Sequence, residues 1–236
     1  MEDKVKEGYY SNIRFIQISK SFLYDVSRGS YDVQDLLTLS TIKMLSSGNA
    51  SPNSAETCVT TIDIILSMTK MCNNSRNKKS INESIARLIE GGLIGLYEDF
   101  SFSETTDNMK GIMYLRVEEK IPTGDYFVKI HTEEYHKIVN SKERNISKLF
   151  HVFTIIVDTV YEGDGANHYS YIKNEDIIKA TGVDKKTVTK YIQELEKIEV
   201  IYRKLLTITD KTDGNVKNKN VMSRYGWRNY VEASHL

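Results

Sequence analysis

The chain is poor in the residues that mark several classes of protein. Its 236 residues include two cysteines and two prolines. Two cysteines are too few for a disulfide framework or a zinc site, so we interpret Cys58 and Cys72 as free thiols. The scarcity of proline, together with only thirteen glycines, favours helices and tight hairpins over a long irregular fold.

Neither sign of charge predominates, because 32 Lys and Arg residues balance 32 Asp and Glu residues. A protein that binds nucleic acid with its whole surface is strongly basic, so any basic surface here must be local. The apolar fraction of 40 % is sufficient for a buried core and argues against wholesale disorder.

Long hydrophobic runs are also missing. The most apolar stretch, residues 150–161, includes His151 and Asp158 and is shorter than the ~20 apolar residues of a membrane span. The first residues, MEDKVKEGYY, have neither an apolar core nor a cleavage-site pattern. We therefore expect a buried helix at 150–161 and a cytoplasmic protein that has no membrane partner.

The motifs of nucleotide binding and catalysis are absent as well. No G-x-x-x-x-G-K-[ST] loop is present, and the five histidines form no His-x-His pair, the metal pattern expected of rolling-circle nicking initiators. Residues 164–167 lack the carboxylate repeat of a calcium loop. We therefore predict that the protein is not an enzyme, with no catalytic residue, no metal site and no cofactor.

Apolar periodicity divides the first half into regular elements. It predicts a strand at 15–19 with a short helix through Tyr24, then a helix at 31–46 capped by Asp32. A loop is expected at 47–57. Helices at 60–70 and 76–90 follow, the second ended by Gly91 and Gly92, and strands are predicted at 93–99 and 111–117. This order of helices followed by a hairpin is that of a winged helix.

The same order recurs in the second half of the chain. Residues 126–138 repeat the first strand and short helix, and a helix at 145–161 repeats that at 31–46. Helices at 174–182 and 184–197 then precede strands at 200–208 and 220–227. Matching elements in one order indicate duplication. We predict an α+β, mainly helical fold of two tandem winged helix-turn-helix units, each with a β-hairpin wing, over residues 1–120 and 121–236.

The segment NEDIIKATGVDKKTVTKYIQELEKIEVI, residues 174–201, carries the clearest functional signal. Asn174 and Asp184 are candidate helix caps, and Gly182 suits a left-handed turn. A helically spaced apolar face is predicted to be buried, namely Val188, Ile192, Leu195 and Ile198. The opposite face, towards the helix N-terminus, presents five predicted DNA-binding residues: Lys185, Lys186, Thr187, Thr189 and Lys190.

These residue types are those of a recognition helix, whose N-terminal turns enter the major groove. Lysines there contact phosphate or guanine, and threonines contact phosphate or a thymine methyl group. The segment 203–228 contains seven basic residues and only two acidic ones. We therefore predict a DNA-binding wing with Lys211, Lys217 and Lys219. For the helix, the alternative is an ordinary solvated helix in a protein-binding or dimerisation domain. For the hairpin, the alternative is that its charges only contact solvent.

The first unit has a weaker version of this surface. Its third helix begins with a candidate groove-facing set: Arg76, Asn77, Lys78, Lys79 and Asn82. Its wing is acidic, with one lysine among Glu98, Asp99, Glu104 and Asp107. Phosphate would repel such a wing. Either that wing stays off DNA, or the first unit mainly makes protein contacts.

Residues 174–201 resemble the helix-turn-helix of many bacterial winged-helix regulators and replication initiators, which share a Thr-Gly or similar turn and a Thr-Val-x-x-Tyr-Ile-x-x-Leu recognition helix. Two linked units resemble the initiators of iteron-type plasmids. The opening RFIQISKSFL looks like the start of plasmid and phage initiators from Gram-positive bacteria.

The resemblance implies sequence-specific binding of double-stranded DNA by a plasmid or phage replication initiator that recruits host replication machinery. A transcriptional regulator, such as a repressor of the same fold that engages the transcription machinery, and a winged-helix interaction scaffold are the alternatives. Because palindromic or repeated sites favour two-fold assemblies, we also predict a homodimer.

Overall fold

The computed structural model describes residues 14–46, 56–119, 121, 126–160, 169–209 and 216–224, with the main chain alone at 206–209 and 216–220. Within these ranges eight α-helices accompany short antiparallel strands. The fold class is therefore α+β, as the sequence predicted. The chain divides into two compact units, Met1–Asn140 and Ser141–Leu236.

The first unit contains a winged helix preceded and followed by a strand and a short helix. In chain order its elements are β1 (Phe15–Ser19), α1 (Lys20–Arg28), α2 (Val33–Leu45), β2 (Thr57–Thr60), α3 (Ile62–Met68), α4 (Ser75–Glu90), β3 (Ile94–Tyr97), β4 (Met113–Val117), β5 (Phe127–His131) and α5 (Thr132–Val139). Helix α1 continues beyond Tyr24. Strand β2 begins at the last residue of the predicted loop and extends to the first residue of the helix predicted at 60–70, so that α3 begins at Ile62. Strand β2 pairs with β4, giving a sheet in the order β2-β4-β3.

An ion pair between the buried Asp35 and the partly exposed Arg87 joins α2 to α4. Asp32 caps α2 by accepting a hydrogen bond from the Gln34 N–H at 2.8 Å, and Asp35 accepts one from the Asp32 N–H at 2.8 Å. Arg87 on α4 donates to both oxygens of Asp35, at 2.9 and 2.7 Å. The hydrogen bond to Asp35 raises the pKa of Arg87. Because Asp35 is fully buried, this pair holds α2 and α4 together.

Strand β5 and helix α5 belong to the first unit, so the predicted boundary between residues 120 and 121 is not where the chain divides. Strand β5 pairs antiparallel with β1, with Gln17 opposite Lys129 at the centre. On α5 the buried Tyr135 hydroxyl lies 2.7 Å from the Thr41 hydroxyl of α2. The sequence identified the two strands as repeats, but repetition does not reveal that the two copies pair with each other.

The second unit is a winged helix of the same topology. Its elements are α6 (Ile146–Asp158), β6 (Tyr169–Ser170), α7 (Asn174–Thr181), α8 (Lys185–Lys197), β7 (Tyr202–Thr209) and β8 (Val216–Ser223). The sheet order β6-β8-β7 matches β2-β4-β3, since in each unit the strand before the helix pair joins the second wing strand. The matching orders support the inferred duplication.

Helix α6 forms the centre of the second unit's core. Residues 149–157 are buried without interruption, and His151 among them is 1 % exposed. Burial lowers the pKa of His151 to about 4, so this histidine is neutral at physiological pH. Among the described residues no helix combines the length and apolar character needed to cross a membrane.

Candidate nucleic-acid interface

The turn between α7 and α8 fixes where α8 begins. Gly182 follows α7 with a φ of 64°, a left-handed conformation that suits glycine, and its N–H donates to the Ile178 carbonyl at 2.9 Å. Asp184 caps α8 by accepting from the Thr187 N–H at 3.0 Å. Hydrogen bonds from Thr187 lower the pKa of Asp184. Both sequence-based assignments in this turn are confirmed.

The start of α7 differs from the prediction. The cap position is Lys173, and Asn174 is the first helical residue. The Asp176 carboxylate accepts from the Lys173 N–H at 3.4 Å, so the side chain in the first turn, and not that of Asn174, satisfies the exposed backbone donor.

The apolar back of α8 is buried as predicted. Val188, Ile192 and Leu195 are fully buried, whereas Ile198 lies at the helix end and is only partly covered. Tyr191, which the sequence analysis did not select, is also buried at 4 % exposure. Its position three residues after Val188 is the periodic signal that identifies it.

The opposite face of α8 begins with two exposed lysines. Lys185 and Lys186 lie in the first turn, and neither forms an ion pair with any residue that the structure describes. Thr187 and Thr189 are partly exposed. The Thr189 hydroxyl donates to the Lys185 carbonyl at 2.9 Å, so its methyl group and its lone pairs remain for contact with a ligand.

Lys190, one turn further along, is engaged by a residue that sequence reasoning missed. Both carboxylate oxygens of Glu143 lie 2.6 Å from the Lys190 ammonium nitrogen. The Glu143 side chain is 8 % exposed and that of Lys190 is 65 % exposed. Burial raises the pKa of Glu143, but Lys190 and the Arg144 N–H outweigh burial, so that the pKa is lowered. No local pattern joins these residues, which are separated by 47 positions.

Strands β7 and β8, which follow α8, form the two strands of a wing. Strands β7 and β8 pair from Tyr202 opposite Ser223 to Thr209 opposite Val216. Lys217 and Lys219 lie in β8, whereas Lys211 lies outside the described residues.

The charge count of this segment overstates its basic surface. Arg224 is buried at 5 % exposure, and Arg203 forms an ion pair with Glu196 at 3.1 Å. Among the described residues, these two arginines therefore add little to the basic surface of the segment.

In the first unit, the start of α4 is tied into its own turn. Asn74 caps α4 by accepting from the Asn77 N–H at 2.8 Å, and the Asn77 side chain donates to the Cys72 carbonyl at 2.8 Å. Asn77 therefore serves the turn between the helices. Arg76 is exposed and forms no ion pair within the described part of the chain, and Asn82 is partly exposed.

The two lysines of this helix are both paired. Lys78 lies 2.9 Å from Asp63 of α3, and the hydrogen bond from Lys78 lowers the pKa of Asp63. Lys79 lies 3.7 Å from Glu83. All four side chains are substantially exposed. The N-terminal end of α4 thus presents less unpaired positive charge than that of α8.

The wing of the first unit combines acidic and apolar exposure. Its four carboxylates are exposed, namely Glu98, Asp99, Glu104 and Asp107. Phe100 is 77 % exposed and Ile112 is 60 % exposed. Across the described residues no group of three or more His, Cys, Asp or Glu side chains is placed to hold a metal ion.

The fold and these surfaces define a tandem winged helix-turn-helix protein. Comparison with protein-family models and with curated proteins found no match. Among solved structures, the chain is similar to the crystal structure of selenomethionine derivatives of domains 2 and 3 of RctB, with 14 % sequence identity, coverage of 81 % of each chain and a TM-score of 0.43.

Proposed function

We propose that the protein binds double-stranded DNA and recognises sequence with α8 of its second unit. The observation that supports this proposal is the division of α8 into two faces. Val188, Ile192 and Leu195 are fully buried, while Lys185 and Lys186 are exposed at the N-terminal end. A recognition helix enters the major groove in this orientation, with its N-terminal turns leading.

The side chains of α8 suit different parts of the duplex. Lys185 and Lys186 are free to contact phosphate oxygens or the acceptors of guanine, and the methyl groups of Thr187 and Thr189 suit the thymine methyl group. Lys211, Lys217 and Lys219 of the wing would contact the backbone. The role is binding and not catalysis.

The finer role that we propose is initiation of plasmid or phage replication. Its support is the tandem arrangement of winged helices and the resemblance of residues 174–201 and of RFIQISKSFL to initiators. Capture of fragments from the source genome, followed by sequencing, tests it. Tandem repeats near the protein's own gene are expected, whereas a single operator upstream of other genes would favour the repressor alternative.

The DNA-binding proposal is tested by the double substitution K185A/K186A, with K197A as the matched control. Lys197 is on the same helix but at its C-terminal end, paired with Glu194. We expect K185A/K186A to weaken binding to every duplex and to reduce the slope of log affinity against log salt by about one unit for each lysine. Fluorescence anisotropy over a range of salt measures both quantities. Equal slopes for the wild type and the double variant would refute the assignment.

A second role, protein contact, is supported for the first unit by its wing. Phosphate would repel the exposed carboxylates of this wing, and Phe100 and Ile112 are large apolar side chains that are exposed on the same wing. We propose that this wing contacts a second copy of the chain. The variant F100A/I112A is expected to weaken self-association while duplex binding by α8 is retained.

A further inference from the structure

We infer that Glu143 is a positioning residue for Lys190, which it converts from a mobile cation into a directed hydrogen-bond donor at the DNA surface. This inference rests on the proposed function. Glu143 lies before α6 and contacts no base or phosphate in this scheme, since its side chain is 8 % exposed. Its role is to set where the ammonium group of Lys190 points.

The contact with Glu143 restricts the position of the Lys190 ammonium group. Both oxygens of Glu143 lie 2.6 Å from its nitrogen, and the Arg144 N–H donates to one of them at 3.1 Å. The carboxylate is therefore itself fixed by the main chain. A lysine without a partner on a helix surface samples many rotamers, whereas the Lys190 ammonium group is held by the two oxygens of a largely buried carboxylate.

Donor counting shows what remains for a ligand. An ammonium group has three N–H donors, and the two carboxylate oxygens can accept two of them. One donor remains, on a side chain that is 65 % exposed. A single donor of fixed direction suits an acceptor at a base edge, such as guanine O6 or N7.

Charge counting leads to the same conclusion. The pair of Glu143 and Lys190 has no net charge, so it contributes little to the counterion release that drives sequence-independent binding. Lys185 and Lys186 have no such partner among the described residues. We therefore assign affinity mainly to the first turn of α8 and base discrimination to Lys190.

The substitution E143Q separates these contributions. The amide keeps the shape of the side chain but removes the charge that holds Lys190, so the ammonium group becomes free to reach phosphate. We expect binding to a duplex of random sequence to tighten several-fold and the salt slope to steepen by about one unit. The preference for a duplex selected by the wild-type protein from a random library is expected to decrease.

Three further variants make the result specific. E194Q removes a carboxylate that pairs with Lys197 at 3.0 Å on the same helix, and we expect it to change neither the slope nor the preference. E143Q/K190Q should abolish the gain in affinity, because the released ammonium is gone. E143D keeps the charge and should restore much of the preference. Thermal unfolding of each variant confirms that the second unit remains folded.

The outcomes distinguish the two proposals. If the wild-type protein binds no duplex, the proposed function and this inference both fail. If the wild-type protein binds but E143Q has an unchanged slope and preference, only the inference is overturned. The same holds if E194Q tightens binding as much as E143Q does, because overall charge alone would then explain the gain. If E143Q does not fold, the single variant K190Q decides: loss of preference with an unchanged salt slope supports the inference, and a decrease in slope by about one unit with the preference intact overturns it.

Discussion

The buried His151 makes the stability of the second unit depend on pH. Its pKa in the folded protein is about 4, against 6.5 for an unburied histidine. As the pH falls below about 6.5, the unfolded chain binds a proton that the folded protein does not, so stability falls until the pH reaches about 4. One pKa unit corresponds to ~1.4 kcal/mol, so the total loss approaches about 3 kcal/mol.

The variant H151L tests this prediction because leucine does not titrate. We expect the free energy of unfolding of the wild-type protein, measured by urea denaturation, to fall between about pH 7 and about pH 5. For H151L the fall over that interval should be smaller. The exposed His136, replaced by glutamine, controls for the loss of a histidine. Parallel pH profiles for the wild type and H151L would show that His151 does not govern acid sensitivity.

Arg87 provides a second residue-scale prediction. In R87A the fully buried Asp35 loses its charged partner, and an uncompensated buried charge is strongly destabilising. We expect a loss of about 2–3 kcal/mol, less than for a fully buried pair, because the Arg87 side chain is 39 % exposed. On the same helix K79A removes an exposed pair and should cost under about 1 kcal/mol. Chemical denaturation measures both, and equal losses would contradict the prediction.

At the scale of elements, periodic apolar patterns were sufficient to predict most helices and both wing hairpins. Helix α8 was located with its cap Asp184 and its buried Val188, because both signals are local. Strand β2 was missed because four residues, Thr57–Thr60, contain too few positions to show alternation. The contact of Glu143 with Lys190 was missed because it depends on how α6 packs near α8, which no local pattern encodes.

The assignment of α5 to the first unit leads to an element-scale prediction. Tyr135 is fully buried and contacts Thr41 of α2, and burial raises its pKa to about 12. Replacing Tyr135 by alanine leaves a large cavity, and we expect a cost of roughly 3–5 kcal/mol.

Hydrogen exchange identifies the unit that the substitution destabilises. In Y135A we expect faster amide exchange in β1 and α2, and unchanged exchange in α7 and α8. The matched variant L195A, in the core of the second unit, should give the opposite pattern. Faster exchange of α8 in Y135A would instead place α5 with the second unit.

At the scale of the whole molecule, the balanced composition hides an uneven distribution of charge. On one winged helix, Lys185 and Lys186 are exposed and have no ion-pair partner among the residues that the structure describes, while the other winged helix has an acidic wing. Formal neutrality therefore does not argue against DNA binding, because counterion release depends on the local surface that meets the phosphates. Two copies of one fold have thus acquired surfaces of different chemistry.

This difference predicts opposite effects of salt on two equilibria. If the wing of the first unit forms a two-fold contact in a homodimer, the same four carboxylates approach each other from both copies and repel. Salt screens that repulsion, whereas it weakens DNA binding through counterion competition. We therefore expect the dimer to tighten and the DNA complex to weaken as salt increases.

Sedimentation velocity over a range of salt tests the dimer directly, with twice the 27.1 kDa of the chain as the expected mass. The variant F100A/I112A should shift the protein towards monomer at every salt concentration, since it removes the apolar contact that opposes the repulsion. K197A, which leaves the first unit untouched, should sediment like the wild type. A protein that remains monomeric with and without duplex would exclude the homodimer, and a dimer that dissociates as salt rises would exclude the acidic wing as its interface, because like charges separated by screening ions repel less and not more.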